Sequence, residues 1–126
     1  MTTRTTAIKT RTTASGAKDV IVTWAGLQNG DDGQWVSIPG AVLRAIGRSG
    51  TWGTAGSVSL KMSNGDASGA SPITGAQADE GVLSGPFTAS GLTTANLYLA
   101  TASYRPVVTA GDGTTNLTLT LYFVQD

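Results

Sequence analysis

The side chains best suited to acid–base or metal chemistry in this sequence are eight carboxylates: Asp19, Asp31, Asp32, Asp66, Asp79, Glu80, Asp112 and Asp126. Two pairs are sequence neighbours, Asp31-Asp32 and Asp79-Glu80. Glycoside hydrolysis needs two carboxylates facing each other across a bond, roughly 5–10 Å apart. Neighbours on a strand point to opposite faces, and neighbours in a turn both meet solvent, so these pairs do not supply that arrangement. The chain has no histidine and no cysteine. That removes the usual general base, the Ser-His-Asp triad, imidazole and thiolate zinc sites, cysteine nucleophiles and disulfides. The stretch Asn29-Gly30-Asp31-Asp32-Gly33 has the oxygens and glycines of a calcium loop. It lacks the alternating acids and terminal bidentate Glu of an EF-hand, and a polar hairpin turn is the simpler reading. Asn64-Gly65-Asp66 and Asp112-Gly113 read the same way. Gly47 to Gly56 is glycine-rich but has no Gly-Lys-Ser/Thr ending, so it is no phosphate loop. The residues predict a protein that is not an enzyme and has no metal or cofactor.

The elements that would carry these residues are strands. Thr, Ser and Gly are abundant, Glu and Gln are scarce, and Asn-Gly, Asp-Gly or Ser-Gly turns recur along the chain. The clearest strand is the last, with Leu117, Leu119, Leu121 and Phe123 facing a core and Thr118, Thr120 and Tyr122 facing away. Val58, Leu60 and Met62 alternate with serines and Lys61, and Val20, Val22 and Trp24 alternate with Ile21, Thr23 and Ala25. Leu97 and Leu99 flank Tyr98, and Trp35 to Ile38 reads as a short lead-in strand. Tyr104 to Thr109 reads as a strand placed at an edge by Pro106, which has no N–H to donate. Pro39 to Gly47 fits either a short helix stopped by glycine or a strand. The alternation of Val42, Arg44 and Ile46 with Leu43 and Ala45 favours the strand. Seven or eight such strands predict an all-β, single-domain antiparallel β-sandwich, jelly-roll-like, within reach of a 126-residue chain.

Charge divides the chain. Residues 1–18 carry Arg4, Lys9, Arg11 and Lys18 and no acid, whereas residues 19–126 hold four bases against eight acids, a net of −4. The division predicts an extended, basic, Thr-rich arm over 1–18 and a sandwich domain over 19–126. Such an arm either stays mobile or adds as a strand to another surface, and its charge points to an acidic partner. It has no aromatic residue to stack on bases, so nucleic acid is not the expected partner. No apolar run is long enough for a membrane span and no signal-peptide core is present, so neither membrane insertion nor export is expected. Among the tryptophans, Trp24 belongs to a core stripe, while Trp52 sits between Thr51 and Gly53 beside a turn and is the best candidate for an interface anchor. The candidate partner-contact residues are therefore Arg4, Ile8, Lys9 and Arg11 of the arm, together with Trp52.

Two segments carry a family resemblance. Gly50-Thr51-Trp52-Gly53-Thr54-Ala55-Gly56-Ser57-Val58-Ser59-Leu60 and the stretch from Tyr104-Arg105-Pro106 through Gly111-Asp112-Gly113-Thr114-Thr115 to Leu119 resemble segments of small virion proteins of tailed bacteriophages. The resemblance spans residues 41–124 and departs from the family pattern at Ala67 to Pro72. It implies a head decoration or cement protein with a β-sandwich fold. Such a protein binds the major capsid protein on the outer capsid surface, commonly as a homotrimer, after synthesis in the host cytoplasm. A carbohydrate- or receptor-binding β-sandwich module and a tail or neck component are the alternatives.

Overall fold

The computed structural model describes residues 2–12, 16–38, 40–63, 81–98 and 103–125. Pro39, Asn64-Gly65-Asp66, Asp79, Glu80, Leu99 and Asp126 lie outside them. Among the described residues there are strands and no helix. In chain order they are β1 (Thr3–Arg4), β2 (Thr6–Thr12), β3 (Lys18–Leu27), β4 (Asp32–Gly33), β5 (Ala41–Thr51), β6 (Ser57–Ser63), β7 (Gly81–Phe87), β8 (Gly91–Leu97), β9 (Ser103–Ala110) and β10 (Asn116–Gln125).

The strands form two five-stranded sheets, sheet A in the order β1-β4-β9-β6-β7 and sheet B in the order β2-β3-β10-β5-β8. The pairs β3/β10, β4/β9, β5/β8 and β6/β7 are all antiparallel. The body is thus one long hairpin, β3 to β6 against β7 to β10. It is rolled so that β10 also meets β5 and β9 also meets β6. That rolled hairpin is the jelly roll, a way of limiting free edges by stacking two sheets. The exception to antiparallel pairing is β1, which runs parallel to β4.

Strict alternation places the core as expected. Val20, Val22 and Trp24 of β3, Leu117, Leu119, Leu121 and Phe123 of β10, and Val58 and Leu60 of β6 are all buried. Trp24 is fully enclosed, and its indole N–H donates to the Gln34 carbonyl at 2.9 Å, so the one polar atom of the ring is satisfied. Tyr104 and Phe123 join the two sheets with their rings tilted at 53° and their centroids 5.6 Å apart.

Three local expectations are corrected. The run after Pro39 is a strand, but Val42, Arg44 and Ile46 do not share a face. Ala41, Leu43 and Ile46 are the buried residues, because register shifts between Leu43 and Ala45 and between Tyr122 and Phe123 insert one residue into the alternation. Second, β9 lies inside sheet A rather than at its edge. Tyr104 and Val108 donate their N–H groups to Val36 and Asp31 on the β4 side, so the alternate position, Pro106, faces that same side. Third, the expected strand over Trp35 to Ile38 reduces to a single bridge, Val36 to Tyr104. Pro106 accounts for the third: with no N–H it leaves a gap in the ladder between the Asp32–Val107 pair and the Val36–Tyr104 bridge. Gly33 fills the gap, where a Cβ would lie 2.5 Å from the Pro106 ring and 2.6 Å from Trp24.

Candidate functional site

Residues 2–12 of the arm are strands of both sheets. β2 pairs along its whole length with β3, from Thr6 opposite Trp24 to Thr12 opposite Lys18, and β1 pairs with β4. The chain thus changes sheets at Thr5, and the arm adds as a strand to its own body.

Its anchor is the Asp31-Asp32 turn. Asp31 is buried, and one oxygen accepts from the Thr2 N–H at 3.0 Å. The other accepts from Arg4 Nε at 2.8 Å and the Gln28 N–H at 2.9 Å. Burial pushes the Asp31 carboxyl upward, but the Gln28 N–H, Arg4 and the Thr2 N–H together outweigh it and hold the group below its ordinary value. Asp32 accepts from the Thr3 hydroxyl at 2.7 Å and from Arg105 Nη1 at 3.1 Å, and the Arg105 guanidinium lies 4.5 Å over the Trp35 ring. The stretch read as a polar turn is therefore an acidic socket for the arm. Among the described residues no cluster of three or more acids forms.

The candidate contact residues of the arm separate into two groups. Arg4 and Arg11 are engaged within the chain, Arg4 with Asp31 and Arg11 with Asp19 through Nη2 at 2.7 Å. Ile8 and Lys9 are exposed. Ile8 lies opposite Val22 and so points to the inner side of sheet B, yet it is 54% exposed. Lys9 lies opposite Ile21 on the outer side.

Trp52 is not free-standing. Its ring is half-buried against the core, and its N–H donates to the Ser90 hydroxyl at 2.9 Å. Its carbonyl accepts from the Thr115 hydroxyl at 2.8 Å, and that hydroxyl in turn accepts from the Asp112 N–H at 2.9 Å. Asp112 accepts from the Thr54 N–H at 2.7 Å and from the N–H and hydroxyl of Thr114 at 2.8 and 2.6 Å. Those bonds, the Thr114 hydroxyl foremost, hold its carboxyl far below the usual range. Gly53, at φ 71°, closes against Asp112 where a Cβ would collide with the carboxylate. The segments Gly50 to Leu60 and Tyr104 to Leu119 thus meet in one hydrogen-bonded corner.

The outer face of sheet B went unnoticed in the strand alternation. Cross-strand registers place Asp19, Val124 and Val42 in one row and Ile21, Tyr122 and Ala45 in the next. Thr23, Thr120, Gly47 and Leu92 form a third. Tyr122 is 38% and Leu92 63% exposed. Gly47 leaves the space between them open, since a Cβ there would touch Tyr122, Leu92 and Thr120. Arg11, Asp19, Ile21, Tyr122, Phe123 and Val124 line a hollow of about 310 Å³ on this face. The signal was present as unbroken apolar runs, Val20-Ile21-Val22 and Leu121-Tyr122-Phe123-Val124, in which both faces of the strand are apolar.

Comparison with family models, with curated proteins and with solved structures returned no match.

Proposed function

We propose that the chain is a structural protein of a tailed-bacteriophage virion, which decorates and stabilises the capsid by binding the major capsid protein on its outer surface. One observation carries this reading. The two segments that resemble small virion proteins meet in a single corner, with Thr54 bonded to Asp112 across 58 residues of chain, on a jelly roll. Jelly rolls serve viral capsids and lectins alike, so the fold supports the reading without selecting it. A decorating protein adds buried interface between capsid subunits, and many weak symmetric contacts sum by avidity. A trimer fits that role because it contacts several subunits at once. With Arg4 and Arg11 engaged in cis, the arm offers Ile8 and Lys9 to a partner, not its whole charge. Quantitative mass spectrometry of purified virions tests the proposal: a copy number equal to that of the major capsid protein, or a simple fraction of it, is expected. A handful of copies moves the chain to the tail or neck, and none overturns the reading.

Glycan binding is the second reading, favoured by the exposed Tyr122 ring beside the Arg11–Asp19 pair at the hollow. An aromatic face with planar polar neighbours suits a sugar ring. A glycan array without hits at high protein concentration removes it.

A further inference from the structure

We infer that the outer face of sheet B is the surface that docks on the partner, and that the partner presents there an apolar patch with an acidic rim, repeated in an array. The inference rests on the capsid reading and adds to it the face, the anchor and the chemistry of the opposing surface.

The outer faces of the two sheets differ. On the outer side of sheet A along β6 and β9, Ser57 and Ser59 are buried, and Lys61, Arg105, Val107 and Thr109 reach solvent, mostly polar. Sheet B shows Ile21, Val42, Ala45, Leu92, Tyr122 and Val124, contiguous across four neighbouring strands. An apolar patch with a polar border marks an interaction surface, and a tyrosine at its centre is the usual anchor. The charge on this face is one-sided: Lys9, Arg11 and Arg44 against Asp19 leave a net of +2 among the described residues. A chain whose body is acidic overall thus turns a basic-rimmed face outward.

Charge and area together select the occupant. Two copies stacked through this face would set like charges against each other. Three rows on four strands, at about 4.8 Å between strands and about 6.8 Å between rows, span roughly 400 Å². That is near half of the ~800 Å² per partner that a stable one-to-one complex buries. A face this small holds firmly only when the same contact repeats, which is what a capsid lattice of the major capsid protein supplies.

Co-sedimentation of purified chain with capsids lacking it tests the inference, using the full chain and variants whose melting curves match it. Tyr122→Ala is expected to weaken binding at least tenfold. Lys9→Glu, at an exposed position of β2, is expected to weaken it most at low salt, while Thr109→Lys on the outer face of sheet A stays within twofold of the parent. If the parent binds and both Tyr122→Ala and Lys9→Glu bind as well as it does, the face assignment falls and the capsid reading stands. If the parent fails to bind capsids at all, both fall. Capture of a glycan by the parent, lost in Tyr122→Ala, overturns the protein occupant.

Discussion

Two aspartate-glycine turns, alike as sequence motifs, do different work in the fold. At Asp31-Asp32-Gly33 the carboxylates are buried and reach distant partners: Thr2, Thr3 and Arg4 at one end of the chain and Arg105 near the other. At Asp112-Gly113 the carboxylate is only partly buried and binds mainly its own loop, with Thr54 as its long-range donor. The same dipeptide therefore closes a sandwich edge in one place and stiffens a corner in the other. What separates them is burial. A buried carboxylate deprived of its donors keeps the full desolvation cost, whereas an exposed one regains water.

That difference orders the expected effects of mutation. Asp31→Ala leaves Arg4 and the Gln28 and Thr2 N–H groups without their acceptor and is expected to cost about 3 kcal/mol, read as a shift in the urea midpoint. Gly33→Ala forces a methyl into the Pro106 and Trp24 rings and is expected to cost about 2 kcal/mol. Acid should act on the same socket. The folded-state Asp31 carboxyl titrates below its ordinary value of 3.8, so its contribution is complete above that value and is lost as pH falls through the lowered one. Amide exchange at Thr2, Asp32 and Gln34 is thus expected to accelerate, relative to β10, only below pH 3.8. Asp112→Ala should lower the melting temperature less than Asp31→Ala; an equal or larger drop would erase the comparison. Arg11→Ala breaks a solvent-exposed pair and is expected to cost about 0.5 kcal/mol.

Much of the body was legible because its core strands alternate strictly. In β10 every second residue is buried, so periodicity alone assigned the faces. In β5 it did not, because a bulge places Leu43 and Ile46 three apart, the spacing of a helix face. Pro106 signalled a broken ladder, but not that the break lay on an interior strand. The arm was legible as a basic strand. Its receptor was not, because Arg4 and Asp31 are 27 residues apart and nothing local links them. The outer face of sheet B was obscured for a different reason. Once an apolar run is read as a strand, the side chains facing away from the core are assumed to be polar, and Ile21, Tyr122 and Val124 break that rule. Of the proposed contact residues, Ile8 and Lys9 are exposed, Arg4 and Arg11 are tied within the chain, and Trp52 secures a corner.

The most direct test of the account is hydroxyl-radical footprinting of the chain, free in solution and within purified virions. The account predicts that Tyr122, Leu92 and Ile21 lose reactivity on the particle while Val107 on the outer face of sheet A keeps it. Tyr122 and Leu92 as reactive on the particle as in solution would contradict it.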